Sequence, residues 1–186
     1  MMKSARRNLS LVHFFMENFV KNMSHQKCYH TIPPIFDSNS EILILGSFPS
    51  VKSRESYFYY AHNKNRFWKV ISTILGDELP KSDEDKKSML LRHHIALWDV
   101  VAECMIYGSS DMTIRDVKAN DISLILDNSN IKAIYTNGKT AQRLYEKFLS
   151  KKTDRVSFCL PSTSPANASY SLERLISEWK IITKYI

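Results

Sequence analysis

Glu41-Ile-Leu-Ile-Leu45, running into Gly46-Ser-Phe-Pro-Ser50, is the stretch that decides the fold. Its apolar residues are continuous rather than alternating, the mark of a strand buried on both faces of a parallel sheet. Working outward, similar short runs recur at 94–101, where Ile95-Ala-Leu97 leads into Trp98-Asp99, at 131–135 and at 155–160. Segments with apolar residues at helical spacing lie between them: 66–75 (Phe67, Val70, Ile71, Ile74), 88–93, 116–128, 140–149 (Leu144, Tyr145, Phe148) and 172–185. Strand and helix thus alternate four times. That order predicts an α/β fold with a central, mostly parallel four-stranded sheet covered on both faces, a three-layer αβα sandwich.

A chain of 186 residues suits one domain with a sizeable core. Pro33-Pro34 separates a front segment from the rest, so residues 1–30 are expected to be an extension and 31–186 the domain. The extension reads as an amphipathic appendage or as a stretch ahead of a start at Met23. Arg6 and Arg7 precede an apolar run, but Ser10, His13, Glu17 and Asn18 interrupt it and no small-residue cleavage site follows, so no signal peptide is expected. No stretch approaches the ~20 apolar residues of a membrane span. Cys28, Cys104 and Cys159 are odd in number and scattered, which argues against a disulfide framework and a cysteine-rich metal site. Reduced thiols of a cytoplasmic protein are the simplest reading. The net charge of +7 suits a polyanionic partner, although a merely soluble basic surface would carry it too. The basic run Lys139, Lys147, Lys151, Lys152 and Arg155 is open to the same two readings.

In parallel α/β folds ligands bind beyond the carboxyl ends of the strands. The polar, irregular segments lie there: 46–65, Trp98-Asp99, Asn137-Gly138 and 161–167. The first joins the turn Gly46-Ser47-Phe48-Pro49-Ser50 to Tyr57-Phe-Tyr-Tyr60-Ala-His62 and Asn65-Arg66-Phe-Trp68. Its turn offers backbone N–H groups, its aromatic rings offer stacking faces for a planar base, and Arg66 can pair with phosphate. Asn65 can donate and accept hydrogen bonds, but it would equally serve as the cap of the helix that follows. His62 is a secondary site candidate beside a structural reading. His93-His94 has no metal-ligand companions and reads as structural. No metal or organic cofactor is expected, and neither a Gly-rich nucleotide fingerprint nor a Walker-type lysine is present.

The Ala61-His-x-x-Asn-Arg-Phe-Trp68 run is similar to the mismatch-specific branch of the uracil-DNA glycosylase superfamily. Paired with Leu160-Pro-Ser162-Thr163-Ser164-Pro165-Ala-Asn167, the Gly-Ser-Phe-Pro-Ser turn resembles more closely the DNA-deoxyinosine, or hypoxanthine-DNA, glycosylase family, over about residues 33–186. The resemblance implies a uracil-DNA-glycosylase-like fold. It also implies an enzyme acting on double-stranded DNA that contains a deaminated base, most of all hypoxanthine. No lysine stands in a nucleophile's setting, so a monofunctional enzyme that leaves an abasic site is expected, and a monomer. It departs from the mismatch-specific branch at Phe48, where that branch carries a catalytic Asn, and Leu160 stands where many members have His. By resemblance the catalytic role passes to Asn65. Gly46, Ser47, Phe48, Tyr57, Tyr60, His62, Asp99 and Asn137 would form the base pocket. Ser50, Arg66, Ser162, Thr163, Ser164, Pro165 and Asn167 would contact DNA. Asp99 would accept the N1–H that hypoxanthine has and adenine lacks; a capping or salt-bridged Asp is the alternative, and Asn137-Gly138 fits a plain turn as well. Competing functions are a uracil or mismatched-thymine glycosylase and a non-catalytic lesion-binding module of the same fold.

Overall fold

The computed structural model describes residues 26–106 and 113–186. Four strands, β2 (Ile42–Gly46), β3 (Ile95–Asp99), β6 (Ala133–Asn137) and β7 (Ser157–Leu160), form a sheet in the order β3-β2-β6-β7. All its pairings are parallel. Every residue of β2 and β3 is buried, as the unbroken apolar runs require. Helices flank the sheet, giving the expected three-layer sandwich.

The helices in chain order are α1 (Val51–Ser56), α2 (Phe67–Leu75), α3 (Asp83–Arg92), α4 (Ser123–Leu126), α5 (Lys139–Phe148), α6 (Ser150–Thr153) and α7 (Leu172–Trp179), followed by a 3-10 turn over Lys180–Tyr185. Ser82 caps α3 through a reciprocal box with Asp85, which starts that helix five residues ahead of the expected 88. Trp179 and Phe67, both fully buried, meet edge to face at 5.8 Å and fix α7 against α2. Among the described residues no helix is long and apolar enough to cross a membrane.

A second, antiparallel sheet departs from the expected pattern. It has the order β1 (Gln26–Tyr29), β4 (Val101–Ile106) and β5 (Arg115–Ala119). Residues 115–119 therefore form a strand where a helix over 116–128 was expected, and only Ser123–Leu126 is helical. The boundary expected at residue 30 falls inside this sheet. Gln26–Tyr29 pairs with β4, and His30 N donates to Ala102 O at 2.7 Å. Residues 1–25 of the expected extension lie outside the described residues. Cys28 and Cys104 stand opposite each other across this pair.

Candidate active site

The strand order places β3 on one side of β2 and β6 on the other, a topological switch point at which a crevice opens beyond the strand ends. A cavity of about 760 Å³ occupies that place. Gly46, Asp99, Asn137 and Leu160, the last residues of the four parallel strands, all line it. The 46–65 segment supplies one wall and the 161–170 segment the other.

Arg66 joins the two walls. Its guanidinium donates to Ser164 O at 2.8 Å, Asn167 O at 2.9 Å, Thr163 O at 3.4 Å and, at close range, Tyr170 O. Its backbone N–H also reaches Thr163 O at 3.1 Å. The expected phosphate contact by Arg66 is thereby replaced by an internal clamp. Within the loop Ser164 O also accepts from Asn167 N and Asn167 O from Tyr170 N, and the rigid fork of the guanidinium serves several of these carbonyls at once. Asn137 adds a second tie: its Nδ2 donates to Thr163 Oγ1 and its Oδ1 accepts from Thr163 N, both at 2.9 Å. Asn137 lines the cavity, but its amide is committed to the loop. Thr163 is fully buried by these bonds and so does not present its hydroxyl to DNA. Gly138, with φ +98°, brings the α5 start so close to the loop that a Cβ would lie 2.8 Å from Ser162 Cβ.

The remaining loop hydroxyls are held from within but keep donors to spare. Ser162 Oγ accepts from Ser164 N and Ser164 Oγ from Ala166 N, while Asn167 Nδ2 donates to Ser162 O. A serine oxygen that accepts an N–H still has its own O–H to offer. Pro165 sits exposed at the tip and does not line the cavity. Across the cavity, Ser50 Oγ caps α1 by accepting from Ser53 N at 3.2 Å.

Asn65 faces this space with its amide in a fixed sense. Its Oδ1 accepts from Phe67 N at 2.9 Å, so the oxygen is turned toward α2 and the NH2 group away from it. The capping and catalytic readings of Asn65 therefore use different atoms of one side chain. Phe48 is almost wholly buried, with the Arg54 guanidinium 5.4 Å from its ring centroid, and Arg54 also holds the turn through Pro49 O. Tyr60, at φ +52°, stacks on Phe67 with centroids 4.0 Å apart. Tyr59, not singled out in the sequence, lines the cavity too. Burial, together with the charge of Asp99, pushes its hydroxyl far above the tyrosine range, so it stays a donor, to Pro33 O at 2.8 Å.

Two expected pocket residues stand elsewhere. Tyr57 takes a left-handed conformation at the end of α1, φ +54°, and is 68% exposed outside the cavity. His62 turns back on its own loop, its Nδ1 accepting from Lys64 N, and also lies outside the lining. Of the basic run only Lys139 lines the cavity, and Arg155 is bound to Ile131 O. His93 bonds Asp77 at 3.0 Å, a structural use.

Asp99 is 4% exposed and bonds neither a cap nor a surface cation. Its Oδ2 pairs with His30 Nε2 at 2.8 Å, a partner the sequence reading had placed outside the domain. Its Oδ1 occupies the space that a side chain on Gly46 would need. A Cβ at Gly46 would come within 2.0 Å of that oxygen and 3.1 Å of the Tyr60 hydroxyl. Gly46→Ala should consequently displace the carboxylate and lower kcat/KM for base release by about a hundredfold, the usual cost of a ~1 Å misplacement. Steady-state kinetics with a thermal melt to confirm folding would check this.

The family model described as the uracil DNA glycosylase superfamily matches residues 33–183. The chain belongs to this superfamily. Two relatives of the chain are named hypoxanthine DNA glycosylase. One, from Methanosarcina barkeri, is 36% identical over 149 residues, covering 79% of this chain and 92% of the relative. The other, from Methanosarcina acetivorans, is 36% identical over 155 residues, covering 82% and 96%. A solution NMR structure of a Methanosarcina acetivorans protein, provisionally named a uracil DNA glycosylase, superposes with a TM-score of 0.71 at 34% identity, covering 82% of this chain and 94% of that one. The superfamily cavity in this chain thus carries Phe48 in the first-strand turn and Leu160 at the head of the second loop, both lining it.

Proposed function

We propose that this protein is a monofunctional DNA glycosylase that hydrolyses the N-glycosidic bond of hypoxanthine in double-stranded DNA, acting as a cytoplasmic monomer in base excision repair. The observation that carries this reading is the convergence of the Asn65 amide, the Asp99 carboxylate and the Phe48 and Tyr60 rings on one cavity between two clamped loops. The names of the two curated relatives support the choice of base.

A base inside a duplex is out of reach, so the nucleotide must be extruded at a cost of a few kcal/mol, less for a weak inosine mispair. The exposed tip of the 162–167 loop presses on the backbone, with the Ser162 and Ser164 hydroxyls donating to phosphate. In the cavity Asp99 Oδ1 accepts the N1–H of hypoxanthine, which unprotonated adenine cannot supply. As the C1′–N9 bond breaks, its electron pair passes to the base and positive charge grows on the sugar. The Asn65 NH2 group donates to the departing base where negative charge develops. Water forms the new bond to C1′, and its proton leaves to solvent or to the base.

Release of free base from duplexes carrying hypoxanthine, uracil or mismatched thymine tests this reading. Hypoxanthine should be released fastest, leaving an abasic site with no adduct on borohydride trapping. Asp99→Asn should lower that release at least tenfold, as expected when a charged hydrogen-bond partner is lost. Faster release of uracil or thymine, or a trapped lysine adduct, would contradict it.

A further inference from the structure

We infer that His30 is a positioning residue for base recognition, holding the Asp99 carboxylate so that one oxygen is presented to the extruded base. The inference rests on the reading of Asp99 given above. His30 precedes residue 33, where the superfamily match begins, and directly follows β1 of the antiparallel sheet, to which its backbone N–H is tied at Ala102 O.

The geometry is that of a built pair. The two side chains are 1% and 5% exposed and meet at 2.8 Å. Around the imidazole stand Phe48 at 6.2 Å, Tyr59 at 6.1 Å and Trp98 at 6.3 Å between ring centroids, which leaves the ring little room to turn. The backbone N–H of His30, bound to Ala102 O, fixes the Cα from which the ring projects. An imidazole Nε2 facing an ionised carboxylate at this distance donates its hydrogen to it.

Two consequences follow for recognition. With Oδ2 engaged, rotation about the carboxylate axis is blocked and Oδ1 stays in the space over Gly46. The hydrogen from His30 also draws charge toward Oδ2. A bare carboxylate beside a base that departs with negative charge would oppose the reaction, and a donor on the far oxygen lessens that opposition. Outer partners that orient metal-binding side chains govern about 10- to 100-fold in activity, and a carboxylate oriented for base recognition is expected to depend on its partner to a similar degree.

The test uses the full chain and its His30→Ala and His30→Gln variants. Single-turnover release of hypoxanthine and of uracil, DNA affinity and thermal melting are measured for each. His30→Ala should release hypoxanthine about 10- to 100-fold more slowly, with DNA affinity within about twofold of wild type and a changed hypoxanthine-to-uracil ratio. His30→Gln, whose amide can still donate to Oδ2, should recover most of the rate and restore the ratio. Wild-type rate and ratio in His30→Ala would overturn the inference. So would an equal loss in both variants with the base ratio unchanged, which is the signature of lost packing alone. Absence of hypoxanthine release by the wild-type chain would overturn the underlying reading and this inference with it; release by wild type with His30→Ala unaffected overturns the role of His30 alone.

Discussion

Asn65→Ala should slow single-turnover release of hypoxanthine by about 10²–10³-fold, the cost of removing one preorganised donor from a site of developing negative charge. The helix would lose the Asn65 Oδ1 contact to Phe67 N, worth about 1 kcal/mol, so the chain should remain folded. Asn65→Asp separates the two uses of the side chain. It keeps an oxygen for Phe67 N and removes the NH2 donor, and it adds negative charge where the base departs. It should melt near the wild-type temperature and be as inactive as the alanine variant. Recovery of activity in Asn65→Asp would mean that Asn65 matters only as a helix-start residue.

Arg66→Ala should produce the largest loss of stability. The side chain carries charge-assisted bonds to the carbonyls of Thr163, Ser164, Asn167 and Tyr170. Such bonds are worth roughly 1.5–3 kcal/mol each and are not additive, so a total loss of about 3 kcal/mol or more is expected. For a domain of this size that corresponds to a fall in Tm of about 6–12 °C. Activity should fall more than tenfold, because the second loop would no longer be held opposite Asn65. Arg66→Lys should recover little, since a single ammonium cannot span carbonyls spread over eight residues of loop. Thermal melts paired with DNA-binding titrations would check this; a phosphate-binding arginine would instead weaken binding and its salt dependence with little change in Tm.

Arg66 also illustrates where sequence reading reached its limit. Next to Asn65 at a helix start, an arginine looks like a phosphate ligand. Its true partners lie about a hundred residues downstream, and no local pattern encodes them. The parallel sheet was legible because its strands read as short apolar runs, and β2 and β3 are buried throughout; β7 was legible although it is largely exposed. The antiparallel sheet was not. Gln26-Lys-Cys-Tyr29 and Arg115-Asp-Val-Lys-Ala119 are polar, half-exposed strands without a clean alternation, and β1 pairs with a strand about 75 residues away. Missing β1 also hid His30, which had been set aside with the front segment. Tyr57 was misplaced for a different reason. It lies in an aromatic run with Tyr59 and Tyr60, but left-handed turns at Tyr57 and Tyr60 send neighbouring rings in different directions. Gly46, Phe48 and Asp99 line the cavity because strand ends and their following turns are where a parallel sheet opens its crevice; Asn65, singled out by resemblance, lines it too.

A structure of the full chain bound to a duplex containing 2′-fluoro-2′-deoxyinosine tests the central claim most directly. The fluorine disfavours positive charge at C1′ and so preserves the glycosidic bond. The ring is expected between the 46–65 and 161–170 segments, with its N1–H on Asp99 Oδ1 and the Asn65 NH2 group within hydrogen-bond distance of a base atom. A hypoxanthine ring left stacked in the duplex, or bound outside this cavity, would contradict it.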